Sequence, residues 1–351
     1  MMNERAQPRP SFFILHPSAF ILLFCLGCEP TTKMAGGPVA IREVPVNGAA
    51  KPVSVELALN WYPEAEHGGF YAALVHGYYA EEGLTVDILP GGKDVSATVV
   101  PQVARGAIAF GVSNADNLLF GRAQGAPVVA VMAPLQTSPR CLIVHEKSGI
   151  RGFEDLKDMT IAMSNGAAFS AYLQKKVPLT GVTVVPYPGN VAQFLLDENY
   201  AQQAYVFSEP YVARQKGGDP RVLMLSDLGF NPYTSVLFTS DAKVRESPDV
   251  VKKMVSASIR GWRQYLDSPE ETNRYIHGLN PEMELDALAY GATAIRPLVL
   301  DESAESDQIG RMTLDRWRTL AEQLVESDQL EPGEVDASKL FTTEFMSTVD
   351  P

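Results

Sequence analysis

Two α/β lobes with a ligand cleft between them, followed by a helical C-terminal region, are what the sequence predicts. Three observations predict it. From Val53 onward, short runs with β character alternate with runs of helical spacing, as in "VSVELALN" followed by "HGGFYAALVHGYYAEEG". The alternation comes in two sets that meet near Cys141, and one more strand-like run, "SVLFTS", returns after the second set. Beyond that run the spacing is helical throughout. A chain that leaves one α/β unit, builds another and comes back makes two lobes, and the loops at the carboxyl ends of their strands face the gap.

Composition agrees with such a protein. The chain has 351 residues, 46% of them hydrophobic and 20% charged, enough to bury two cores. Its net charge is −13 with no basic run, which excludes a nucleic-acid partner, because a polyanion requires clustered Lys and Arg.

The first 28 residues differ from the rest. "MMNERAQPRP" carries charge, "SFFILHPSAFILLFCLGC" is apolar, and its cleanest stretch, Ala19 to Gly27, is far short of the about 20 residues that a spanning helix needs. Charged, apolar and small-residue segments in that order describe an export signal. The ending "CLGC" resembles a bacterial lipobox with Cys28 as the lipidated residue, though Cys25 stands where Leu is usual. An ordinary secretory signal or an N-terminal extension are the alternatives. Removal of Cys25 and acylation of Cys28 leave Cys141 alone, so no intramolecular disulfide is expected. Residues 29–52 contain four prolines and three glycines with no apolar period and read as a flexible tether.

The first set of elements runs "VSVELALN", the helix after "HGGF", "LTVDILPG", "DVSATVVPQVARG", "AIAFGVSNA", "DNLLFGRAQG" and "PVVAVMAPLQ". This βαβαβαβ order predicts a mostly parallel sheet. The second set runs "CLIVHEKSG", a helix at "GFEDLKD", "TIAMSN", "GAAFSAYLQKK", "VTVVPYPG", "NVAQFLLDEN", "QAYVFS", "EPYVARQKGG" and "RVLMLSDL". The expected boundaries are 53–136 plus 234–351 for the first lobe and 137–233 for the second.

Longer stretches have a family likeness. "LNWYPEAEHGGFYAALVHGYYAEEGLTVDI" resembles the opening of the substrate-binding proteins of ABC importers for thiamine pyrimidine precursors, which share a superfamily with the sulfonate, nitrate and taurine binders. "SGIRGFEDLKDMTIAM" is similar to the phrase that opens the second lobe there, and "SIRGWRQYLDSPEE" and "DRWRTLAEQLVESDQLEPGEVDASKLFTTEFM" resemble its C-terminal helices. The likeness covers Val55 to Met346. It implies a type II periplasmic binding fold that hinges shut on a ligand and docks on a permease served by an ATPase. The expected protein is an exported, lipid-anchored monomer that binds a pyrimidine-like molecule and needs no cofactor. The same fold with riboflavin, a sulfonate or nitrate as ligand is the alternative, and a sensory module is another.

The pyrimidine synthases of fungi and plants share this opening motif. In them the equivalent histidine is consumed as a substrate and a CCCFC-type segment holds iron. His67 falls on that histidine, but the segment before "EPYVARQKGG" reads "NYAQQAYVFS" and has no cysteine. Without thiolate ligands the iron chemistry loses its support, so binding rather than synthesis is expected.

Candidate site residues follow from strand ends. Trp61 either stacks a flat heteroaromatic ring or packs its lobe, and Tyr62 stands equally between the two. His67 either donates to a ring nitrogen or caps the next helix. In "GVSNADN", Ser113 and Asn114 offer donors to a ligand, or serve only as N-caps. In "SNGAAFS", Asn165, Gly166 and Ala167 form the matching turn of the second lobe, which often contacts ligand in the superfamily; free N–H groups at a helix start suit anionic oxygens. Glu209 either accepts from an exocyclic amine or sits at a helix start on dipole grounds alone. Gln136, near the first crossover, serves hinge or ligand. His76, His145 and His277 share no metal-ligand spacing, and no metal site is expected. No nucleophile–base–acid set is present in the pattern, so no catalytic residue is assigned.

Overall fold

The computed structural model of the protein describes residues 41–42, 51–93, 95–300 and 309–346. The export signal, the lipidation at Cys28 and most of the tether lie outside the described residues.

The chain begins with β1 (Val53–Ala58), α1 (Gly68–Val75), α2 (Tyr78–Glu81), β2 (Leu84–Leu89), α3 (Val99–Ala104), β3 (Phe110–Ser113), α4 (Ala115–Ala123) and β4 (Val128–Met132). It crosses to β5 (Arg140–His145), β6 (Thr160–Met163), α5 (Ala168–Lys176), β7 (Thr183–Pro186), α6 (Ala192–Leu196), β8 (Tyr200–Tyr205), α7 (Glu209–Gln215) and β9 (Pro220–Met224). It then returns through β10 (Val236–Ser240) to α8 (Asp241–Glu246), α9 (Pro248–Asp267), α10 (Glu270–Leu279), α11 (Leu285–Val299) and α12 (Leu314–Glu326).

The first sheet has the order β2-β1-β3-β10-β4 and the second β7-β6-β8-β5-β9. The expectation of a mostly parallel sheet needs correction. β1 is parallel to β2 and β3, but β10 enters between β3 and β4 antiparallel to both. β5 is likewise antiparallel to β8 and β9, while β6 pairs in parallel with β7 and β8. The returning strand is buried along its length and inserts between β3 and β4. A second correction concerns "GFEDLKD", which makes only a 3₁₀ turn at Phe153–Asp155. The Asp155 carboxylate accepts from the Arg151 and Gly152 N–H groups, and Leu156 then turns extended to bury its side chain.

Two packings position the cleft. α1 lies unusually close to α9. A Cβ on Gly69 would stand 2.2 Å from the Trp262 ring, and one on Gly261 would stand 2.2 Å from the Gly69 carbonyl oxygen, so only glycine permits this contact. "HGGF" is thus a helix-packing motif at the root of the β1–α1 loop. The second packing is α12, whose buried Trp317, Leu320 and Leu324 belong to a core that continues into Tyr172 and Leu173 of α5. That helix ties the second lobe to the first, with Lys175–Asp328 and Lys176–Glu326 ion pairs at its end.

The two crossovers run side by side. Leu135 bridges Thr234, and the Leu298 carbonyl at the end of α11 accepts from both Gln136 and Thr137. Ser235 on the return crossover has φ +54, a left-handed conformation that costs a non-glycine residue on the order of 1 kcal/mol or more.

Candidate functional site

The loop from β1 to α1 delivers a set of buried polar groups. Asn60, Glu64, Glu66 and His67 are each less than 8% exposed. The Asn60 side-chain oxygen accepts from His67 Nε2 at 3.0 Å. With Nε2 donating to Asn60, Nδ1 has no hydrogen-bond partner among the described residues. Burial pushes the His67 pKa down to about 3, and the Tyr62 carbonyl opposes only weakly without reaching hydrogen-bond geometry at Nδ1. His67 occupies the N-cap position of α1, but its side chain makes no cap hydrogen bond.

Glu64 and Glu66 are paired carboxyls. Burial and the neighbouring Glu66 and Glu209 charges hold Glu64 well above the usual carboxylate range. Burial raises Glu66 as well, opposed by the Ser235 hydroxyl, which donates to Glu66 Oε1 at 2.8 Å, and by the Arg140 charge. Ser235, in a left-handed conformation on the return crossover, therefore holds a buried carboxylate.

The second lobe answers with Arg140, Tyr187, Tyr205 and Glu209. Arg140 opens β5, and because β5 is antiparallel to β8 its first residue stands beside the last residue of β8, Tyr205. Its guanidinium lies 4.2 Å from the Tyr205 ring centre and 4.7 Å from that of Phe169 in the first turn of α5, and it donates to the Tyr205 hydroxyl at 3.0 Å. Glu209 begins α7. It accepts from the Tyr187 hydroxyl at 2.6 Å and from the Tyr205 backbone N–H at 2.8 Å. Burial and the Glu209 charge push the Tyr187 hydroxyl far up, so it remains a donor. Asn114, at the start of α4, reaches across and donates to the Tyr205 hydroxyl at 3.2 Å. Asp116 in the same turn is raised by burial, with the Arg140 charge opposing. Carboxyls of both lobes thus converge, and Arg140 is the cation that faces them.

The expected residues fall into three groups. Asn114 and Glu209 meet through Tyr205, and His67 is bonded to Asn60 on the β1–α1 loop. Trp61 and Tyr62 form an edge-to-face pair 5.5 Å apart on the β1–α1 loop, with Tyr62 49% exposed. Gly91 donates to the Trp61 carbonyl, and the backbone there approaches too closely for any side chain at Gly91. Asn165 and Gly166 are exposed and Ala167 half-buried at the start of α5, one turn from the Phe169 ring under Arg140. Ser113 and Gln136 are engaged elsewhere: Ser113 Oγ accepts from Asn117, and the Gln136 amide donates to the Ala133 and Arg311 carbonyls. His145 sits at the opposite end of β5 from Arg140, between Asp219 and the Phe194 carbonyl. Sequence reading missed Glu64, Glu66, Asp116, Arg140, Tyr187 and Tyr205. The signal existed in "PEAEH", two acids on a strand-to-helix loop, and in "SPRCLIV", a cation at the mouth of an apolar strand.

Among the described residues no group of His, Cys, Asp and Glu has metal-binding geometry, and no helix is long and apolar enough to cross a membrane. A family model described as "NMT1/THI5 like" matches residues 64–272, more than half of the chain. The chain belongs to that family. The NMT1/THI5-like relatives include a riboflavin-binding protein of Chloroflexus aurantiacus, 24% identical over 95% of this chain and 97% of its own. A formylaminopyrimidine-binding protein of Halalkalibacterium halodurans is 26% identical over 62% of this chain and 68% of its own. A pyrimidine phosphate synthase of Legionella pneumophila is 23% identical over 74% and 85%. The chain's relatives are thus named both as binders and as enzymes. The fold is that of the sulfonate-binding periplasmic protein of Escherichia coli, with a TM-score of 0.62 over 82% of this chain and 91% of that one at 16% identity.

Proposed function

We propose that this NMT1/THI5-like protein is the solute-binding component of an ABC importer and captures a small heteroaromatic ligand, a thiamine pyrimidine precursor, between its lobes. The observation that carries the reading is the convergence of Glu64, Glu66 and Glu209 with Arg140 where the lobes meet. Carboxyls so placed accept hydrogen bonds from an exocyclic amine and repel a sulfonate or nitrate. Trp61, with Tyr62 beside it, stacks the ring, which contributes roughly 1–3 kcal/mol. Glu209 and His67 fix its polar edge, Asn114 and the Asn165–Ala167 turn close over it, and lobe closure excludes water. The moving parts are 53–136 with 234–351 on one side and 137–233 on the other.

The protein performs no chemistry on this ligand. Relatives named for binding support that reading, and so does "NYAQQAYVFS", the segment where the resemblance to the synthases would put their iron ligands and where no cysteine stands. Export, acylation of Cys28 and docking on a permease with its ATPase complete the proposal. Riboflavin is the second reading, favoured by a riboflavin-named relative that matches 95% of the chain.

A thermal-shift panel tests this: hydroxymethyl- and formylaminomethyl-pyrimidine, thiamine, riboflavin, taurine and nitrate. A ligand at a hundred times its Kd adds about 2.7 kcal/mol, a Tm rise of a few degrees. A rise with pyrimidines alone supports the first reading. A rise with riboflavin alone moves the proposal to the second, and a rise only with taurine or nitrate contradicts both.

A further inference from the structure

Arg140 and Asn114 are each left with hydrogen-bonding capacity. Arg140 has no carboxylate within ion-pairing distance among the described residues, although Glu66 and Asp116 feel its charge. One of its nitrogens donates to the Tyr205 hydroxyl at 3.0 Å, and two aromatic rings hold the guanidinium plane. Its other side-chain N–H groups have no acceptor among the described residues. A guanidinium held in plane is a set of aimed donors.

Asn114 comes from the other lobe and donates to the same hydroxyl at 3.2 Å. Its side-chain oxygen is buried and receives no donor. A buried acceptor left unpaired costs roughly 1–3 kcal/mol, so the site favours a ligand that supplies an N–H there. Around one tyrosine hydroxyl the lobes therefore set unused donors beside an unused acceptor.

We propose that Arg140 and Asn114 together read a carbonyl with its adjacent N–H on the ligand, that is, a secondary amide or lactam. Arg140 donates to the carbonyl oxygen, and Asn114 Oδ1 accepts from the N–H. A carboxylate or sulfonate would satisfy Arg140 but leave the Asn114 oxygen facing another acceptor, among the acids already there. This inference rests on the cleft being the ligand site, and it ranks the ligands proposed for it. A formylamino substituent carries the required pair, and so does the pyrimidinedione edge of a flavin. Hydroxymethyl and aminomethyl substituents lack the carbonyl.

Isothermal titration of the full chain with three pyrimidines that differ only at that substituent tests the proposal. The formylaminomethyl compound should bind about tenfold or more tighter than the hydroxymethyl and aminomethyl compounds, as expected for two added hydrogen bonds. Arg140→Lys keeps the charge but loses the fork, and Asn114→Ala removes the acceptor. Each should shrink the formylaminomethyl advantage at least threefold, a ratio that general destabilisation would not move. Either variant alone suffices if the other fails to fold. Equal affinities across the three compounds, or an advantage that survives both substitutions, would overturn the amide reader while leaving the solute-binding reading intact. Heat from none of the pyrimidines and none from riboflavin would remove both.

Discussion

The two rims of the cleft are built from opposite chemistry. The first lobe contributes buried Asn60, Glu64, Glu66 and His67 and a partly exposed Asp116, an acid-rich set on which the Arg140 cation of the other lobe acts. The second contributes a cation fixed on rings and Glu209, whose two oxygens are already held by Tyr187 and Tyr205. The first rim therefore stores unfavourable desolvation, while the second fixes directions. The Arg140 charge of the second lobe opposes the raised pKa of Glu66 and Asp116 in the first, so the two rims are electrostatically linked, and the proposed capture of a ligand between them would draw on that link.

The largest test of this contrast is Glu209→Ala. It removes the acceptor of two donors and the carboxylate offered to the ligand's amine, and pyrimidine affinity should fall about a hundredfold with a stability loss of about 2 kcal/mol, read by titration calorimetry and urea melts. Trp61→Ala should follow at about tenfold in Kd, the cost of one lost stack; an unchanged Kd removes Trp61 from the site.

The first rim is sharpened by pH. Glu64 holds its proton more tightly folded than unfolded, so its contribution is full below the ordinary carboxylate value of 4.5 and is lost as pH rises through its higher folded value. Glu64→Gln fixes the neutral form. Its Tm should match the wild type near about pH 4 and exceed it by a few degrees at about pH 8. His67 has the opposite sign: its pKa falls to about 3, so its contribution is full above the ordinary 6.5 and is lost as pH drops toward 3. His67→Gln should flatten the acid limb of the Tm–pH curve in that window. The smallest effect belongs to Ser235→Ala, which takes one hydrogen bond from Glu66 and should cost about 1 kcal/mol by urea melt.

Much of the fold was legible because it is local. Strand runs and amphipathic helices such as α9 and α12 announce themselves by period. The place of β10 was not legible, since strand order is decided by which buried faces fit, not by neighbours in sequence. The 3₁₀ turn at Phe153 hid for a related reason: one carboxylate bonding back to Arg151 and Gly152 outweighed helical spacing. Among the candidate residues, Trp61, His67, Asn114 and Glu209 could be named from strand ends. Arg140 could not, because its part depends on an antiparallel pairing with β8 and on a ring from α5 that the sequence sets far apart. Glu64 and Glu66 stood in the opening motif, but the charges that act on them from Glu209 and Arg140 arrive from the other lobe.

The measurement that bears most directly on the solute-binding account is titration calorimetry of the full chain with formylaminomethyl-pyrimidine, followed by mass spectrometry of the recovered ligand and protein. The account predicts one site per chain, saturable binding, and both partners returned with unchanged mass. A ligand returned altered, or a protein whose His67 has been consumed, would place the chain with the synthases. Absence of binding by any pyrimidine or flavin would contradict the account at its root.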